Sequence, residues 1–63
     1  MGTQISLAAA RVNAELTQED VSKIMRKSKQ TIVNWEKGKH QIDAANLAML
    51  ADLYKIPVDM IKV

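Results

Sequence analysis

Residues 16–38, LTQEDVSKIMRKSKQTIVNWEKG, constrain this chain more than any other stretch. They hold two short helical patterns with a brief break between them. The first predicts a helix from about Thr17 to Met25, the second from about Ser28 to Lys37. Each opens on a residue that caps helices well. Thr17 has Asp20 three positions on, close to a capping box, and the Ser28 hydroxyl can accept from the first free N–H groups of the second helix. Gly38 follows Lys37 and can take the left-handed conformation that closes a helix. Thr31, Ile32 and Trp35 lie three and four apart and form one stripe of the second helix. Lys29, Gln30, Val33, Asn34 and Lys37 fall on the opposite side. A solvated face has no need of two carboxamides and an aliphatic among its lysines. Carboxamides pair bidentately with adenine, and an aliphatic group can meet the thymine methyl, so this face predicts a recognition helix.

Charge points the same way. Between Lys23 and His40 stand Lys23, Arg26, Lys27, Lys29, Lys37 and Lys39 against Glu36 alone, a local net charge of +5. Outside that window Arg11, Lys55 and Lys62 stand against Glu15, Glu19, Asp20, Asp43, Asp52 and Asp59, a net −3. The modest total of +2 therefore hides a basic patch centred on one helix-turn-helix, the footprint of a phosphate-binding surface.

These residues carry a resemblance. Leu16-Thr17-Gln18-Glu19, Thr31-Ile32, Trp35-Glu36, Lys37-Gly38-Lys39 and Leu50-Ala51-Asp52-Leu53-Tyr54 are similar to the helix-turn-helix domain of the lambda-repressor and Cro-like family of phage and bacterial regulators. The resemblance covers nearly the whole chain without a gap. It implies an all-α, compact five-helix domain over residues 1–63, with the helix-turn-helix at the second and third helices. It also implies base contacts from Lys29, Gln30 and Asn34, with Val33 touching a thymine methyl. Gln18 would contact the DNA backbone and brace Gln30. Lys37 and Lys39, and the loop containing His40, would follow the phosphates, joined by Arg26, Lys27 and Ser28 at the turn and by Asn46 near the start of the fourth helix. For each of these the bland alternative is an ordinary solvated residue. Two positions depart from the family: most members have glycine where Arg26 stands and an aliphatic residue where Lys27 stands. Arginine in a left-handed conformation costs ~1–2 kcal/mol, and a lysine in a semi-buried slot must bend its amine out to water. Either the turn is slightly reshaped, or stability is exchanged for two phosphate-facing charges.

The remaining elements follow from periodicity. Helix 1 is expected from about Thr3 to Ala14, because Leu7, Ala10, Arg11 and Ala14 recur at helical spacing. Arg11 on that stripe needs an acceptor. The one acid of the basic window, Glu36, sits beside Trp35 on the inward side, so an Arg11–Glu36 ion pair is expected across helices 1 and 3; the resemblance implies the same pair. The alternative is an Arg11 that snorkels to solvent. Val21, Ile24 and Met25 should face inward from helix 2, with small Ser22 close to helix 3. Asp43 should cap helix 4, about Ala44 to Tyr54, with Leu47, Leu50, Ala51 and Tyr54 inward and Lys55 at its end. Pro57 suits the first turn of a fifth helix to about Ile61, with Val58 and Ile61 inward. Ile42 would cover the core edge. Met60 and Val63 are left exposed, either as an interface or as chain-end apolarity.

Sixty-three residues allow one domain at most and bury only about 60% of the unfolded surface. There is no cysteine, so no disulfide or thiolate site supports the fold, which suits a cytoplasmic, nucleoid-associated protein. No apolar run reaches the ~20 residues of a membrane span. Met1-Gly2-Thr3-Gln4-Ile5-Ser6 fits the loose N-myristoylation pattern, read here as an accidental match. His40 is the only histidine, so a metal site is not expected, and neither is a cofactor or small-molecule ligand. Trp35 reads as core; single-stranded nucleic acid is bound by several aromatics along a groove, and this chain has only Trp35 and Tyr54. Ser28, His40 and Asp43 fall in a cap, a loop and a cap, which argues against an enzyme. The leading expectation is sequence-specific binding of double-stranded DNA by a transcriptional regulator, a repressor first, on a near-palindromic operator and as a weak homodimer. The alternatives are the DNA-binding antitoxin of a toxin–antitoxin pair, marked by a partner at fixed stoichiometry, and a protein-interaction adaptor, marked by no DNA affinity at low salt.

Overall fold

Local capping sets where the helices begin. In the computed structural model, which describes residues 4–62, Ser6 Oγ accepts from Ala9 N at 3.0 Å and starts α1, Leu7–Asn13. Thr17 and Asp20 close a reciprocal capping box at α2, Gln18–Met25. Ser28 Oγ accepts from Thr31 N to start α3, Lys29–Lys37, and Asp43 accepts from Asn46 N to start α4, Ala44–Tyr54. Each cap satisfies an otherwise orphaned N–H.

The four α-helices also end alike. Glu15, Arg26, Gly38 and Lys55 all have positive φ, between 57° and 74°. The next amide along then reaches back to a carbonyl five residues earlier: Leu16 to Arg11, Lys27 to Ser22, Lys39 to Asn34 and Ile56 to Ala51, at 2.9–3.2 Å. This is the Schellman geometry, and an apolar residue usually follows the left-handed one. Leu16 and Ile56 obey and pack on the core. Lys27 and Lys39, after α2 and α3, are exposed instead. The semi-buried slot expected for Lys27 is therefore not where its side chain lies. The sequence signalled Arg26, Gly38 and Lys55 as chain reversals; Glu15 carried no signal.

Two expectations about the termini are corrected. Residues 4–6 are not helical: Ile5–Ser6 form a short strand, β1, pairing in parallel with β2, Ile61–Lys62, in the register Ile5 to Ile61 and Ser6 to Lys62. Among the described residues the fold is thus four α-helices with a two-residue strand pair, not a five-helix all-α domain. Val58–Met60 make a single 3-10 turn, and Pro57 before it is extended (φ −62°, ψ 143°). Pairing with β1 draws Ile61 into extended backbone, where it is 3% exposed, so no α-helix can run through it. Gln4 Nε2 donates to the Asp59 carbonyl at 3.2 Å and adds a second link between the two ends of the described chain. The myristoylation-like pattern begins, and Val63 lies, outside the described residues.

The core takes a side chain from nearly every element: Leu7 and Ala10, Val21 and Met25, Ile32, Ile42, then Leu50, Ala51 and Tyr54, and Ile61. α1 packs against α3, α4 and both strands, while α2 and α3 pack on each other. Ile24 is corrected from inward to exposed, at 54%. The buried face of α2 is Val21, Ser22 and Met25, and its centre lies about 105° round the helix from Ile24 at 100° per residue. Close contact with α3 puts small Ser22 inward, its hydroxyl donating to the Glu19 carbonyl at 2.7 Å. Val58, also expected inward, is exposed, and Met60 is only partly covered.

Burial pushes the Tyr54 hydroxyl up to about 12, with the Glu36 charge adding to the effect and Arg11 partly opposing it. A group whose folded pKa is raised stabilises the fold fully below its unfolded value near 10 and loses that contribution as pH rises through 12. We expect stability to fall across pH 10–12 by on the order of 2 kcal/mol from this group. Tyr54→Phe should flatten that alkaline limb, read by urea unfolding at stepped pH. Identical limbs in the two proteins would assign the loss to lysine deprotonation instead.

Candidate nucleic-acid interface

The outer face of α3 is held from behind by one buried acid. Arg11 Nε lies 2.7 Å from Glu36 Oε2, and Arg11 Nη2 donates to Glu36 Oε1 at 3.4 Å. Arg11 Nη1 donates to the Leu16 carbonyl at 2.9 Å, and Gln18 Nε2 to Glu36 Oε1 at 3.0 Å. The two charged side chains are 15% and 8% exposed. Four chain segments therefore meet at the Arg11–Glu36 pair: α1, the α1–α2 loop, the first turn of α2 and α3. The lone acid of the basic window is turned inward and neutralised. What residues 23–40 offer solvent is therefore cationic and neutral, with Glu19 of α2 exposed at the edge beside Lys29.

Gln18 was expected to brace Gln30. It bonds to Glu36 instead, because its position in the first turn of α2 places the amide beside the ion pair. Gln30 finds its partner one turn on: Gln30 Nε2 donates to Asn34 Oδ1 at 3.0 Å. Along α3, Lys29, Gln30 and Lys37 are exposed, Val33 and Asn34 are half-buried, and Ile32 alone is fully buried. Thr31 is half-buried, its hydroxyl 2.9 Å from Ser28 Oγ. Trp35 is half-buried too and packs on the edge of the core rather than in it.

Shallow clefts flank α3 and show which side chains come together. Arg11, Thr17, Gln18, Glu19 and Lys29 line one of about 360 Å³, which joins Gln18 to Lys29. Thr31, Asn34, Trp35 and His40 line another of about 250 Å³, which joins Asn34 to His40. Asn46 donates its side-chain amide to Asp43 Oδ1 at 2.6 Å, and that bond is the main cause holding the Asp43 carboxyl below its usual range. The Lys27 charge adds a smaller lowering. Lys37 stands apart from this group. It lines a groove with Ser6, Leu7 and Lys62, on the side of the strand pair. Lys62, counted outside the basic window from sequence, lines the same groove as Lys37 because the two short strands pair. Lys39 and His40 are exposed beyond Gly38. Among the described residues no group of three or more His, Cys, Asp or Glu could hold a metal ion, and no helix is long and apolar enough to cross a membrane.

The α2–α3 turn is strained at one residue. Arg26 has φ 57° and ψ 43°, a conformation that costs a side-chain-bearing residue ~1–2 kcal/mol. Glycine removes that penalty but loses ~0.5–1 kcal/mol through its freer unfolded chain. Arg26→Gly should therefore raise stability by about 0.5–1 kcal/mol in urea unfolding. A loss would mean that the Arg26 side chain makes a compensating contact.

A family model described as helix-turn-helix matches residues 7–61. No curated protein and no solved structure matches the chain.

Proposed function

The chain belongs to the lambda-repressor and Cro-like helix-turn-helix family, a family of DNA-binding regulators, and from that premise we propose that it is a transcriptional repressor binding a specific duplex sequence. α3 lies in the major groove, whose width of about 12 Å admits one helix. Lys29, Gln30, Val33 and Asn34 read base edges. Gln18, Arg26, Lys27, Ser28, Lys37, Lys39, His40 and Asn46 follow the backbone. The observation that carries this reading is the exposed lysine and carboxamide face of α3, backed by a buried and paired Glu36. The operator is near-palindromic and holds two copies one helical turn apart, as in the general geometry of this motif. The dimer is weak in the absence of DNA.

Selection of bound sequences from a random duplex pool, at stated salt, tests specificity, symmetry and spacing together. The cations Arg26, Lys27, Lys37 and Lys39 set a logarithmic salt slope of roughly −3 to −4 for each bound copy. Gln30→Ala should cost ~1–3 kcal/mol and relax preference at the base pair it faces, whereas Lys27→Ala should weaken all sequences alike and reduce the slope by about one. No complex with mixed genomic DNA in dilute buffer would remove the DNA-binding reading altogether.

A further inference from the structure

The hydrogen bond between Gln30 and Asn34 constrains both side chains. A carboxamide has a donating end and an accepting end, fixed on opposite sides of a trigonal carbon. Gln30 uses its Nε2 on Asn34 Oδ1. Its own Oε1 is therefore turned away from Asn34. Asn34, whose Oδ1 accepts from Gln30, turns Nδ2 away from Gln30 in the same way. The ends that the bridge leaves wholly free are an acceptor on Gln30 and a donor on Asn34. Flipping one amide alone sets like ends against each other and breaks the bond; flipping both preserves it and exchanges the two free ends.

We propose that Gln30 and Asn34 read two nearby base pairs as one unit of opposed polarity, so that the base preferred at one position depends on the base at the other. The inference rests on α3 lying in the major groove. The two residues are four apart, about 6 Å along the helix, a span of one to two base steps. An acceptor at Gln30 suits adenine N6 or cytosine N4, and a donor at Asn34 suits guanine O6 and N7 or thymine O4. The reversed pair suits the opposite combination. Mixed combinations satisfy one base edge only by breaking the bridge, inside an interface where an unmet polar group is costly.

The test measures binding of the 63-residue protein to duplexes carrying every combination of base pairs at the two positions, at one salt concentration. In the wild type, changing one base pair should alter the preference at the other by at least about threefold, a coupling typical of contacting residues. Asn34→Ala should abolish that dependence and also relax the preference at the base pair facing the intact Gln30. Gln30→Ala should do the reciprocal at the base pair facing Asn34. Val33→Ala, outside the bridge, should leave the dependence in place. Additive preferences in the wild type, or an Asn34→Ala protein that keeps full selectivity opposite Gln30, would overturn the coupled reading while leaving recognition by α3 standing. Equal affinity for every duplex would instead overturn base reading by α3, and the inference with it.

Discussion

Arg11→Ala should destabilise the protein by ~3–5 kcal/mol, the loss expected when one partner of a buried pair is removed. At about 0.05–0.15 kcal/mol per residue, a chain of this length has roughly 3–9 kcal/mol in total, so the loss removes from about a third to all of it. The penalty comes from what is left behind. The Glu36 side chain is 8% exposed, and among the described residues the hydrogen-bond donor left to it without Arg11 is the Gln18 amide. Glu36→Ala should be milder, because the guanidinium, at 15% exposure, has a long stem and can swing towards water. Replacing both, as Arg11→Met with Glu36→Leu, should recover most of the loss, since no charge is then stranded. Denaturant unfolding of the wild type and these three variants makes the comparison. An Arg11→Ala protein within about 1 kcal/mol of wild type would show the pair to be screened like a surface ion pair.

Ile32→Ala should cost ~2–5 kcal/mol, the range for truncating a fully buried aliphatic. Ile32 is 1% exposed and is the only residue of α3 in that state. Its neighbours on the inner side, Thr31 and Trp35, are half-buried and cannot close over the gap. The variant separates packing from recognition. Ile32 contacts no base in the proposed complex, so DNA affinity should fall only by the fraction unfolded and return under stabilising osmolyte. A fall in affinity beyond that fraction would mean that α3 had shifted on its bed.

The Arg11–Glu36 contact was legible because two rules met in the sequence. An arginine on an apolar stripe demands an acceptor, and the basic window offered a single acid on the inward side of its helix. The caps Thr17, Ser28 and Asp43 and the stop at Gly38 were legible for a similar reason: each rests on a hydrogen bond within a few residues of chain. Ile24 was misjudged because periodicity shows that a helix has an apolar face without fixing its rotation. Contact with α3 chose Ser22 over Ile24, and a polar residue on the buried side outweighed an aliphatic one. Gln18 was misassigned for want of a distance: its amide reaches Glu36, across the helix pair, and no sequence spacing encodes that.

The sequence alone determined the starts of α2, α3 and α4, the stop at Gly38, the helix-turn-helix, the location of the positive charge and the identity of the side chains on α3. All of these depend on neighbours within one or two turns, where backbone geometry turns spacing into contact. Only the tertiary structure decided that the chain ends pair as strands, that the last apolar run is a 3-10 turn, that Lys62 joins Lys37, and that Gln18 serves Glu36 while Gln30 serves Asn34. The last of these is local in spacing, yet i to i+4 proximity only permits it; which partner each amide takes depends on where the Arg11–Glu36 pair sits. The others join residues far apart along the chain, and such contacts exist only once the core around Ile32 and Leu50 has brought the elements together.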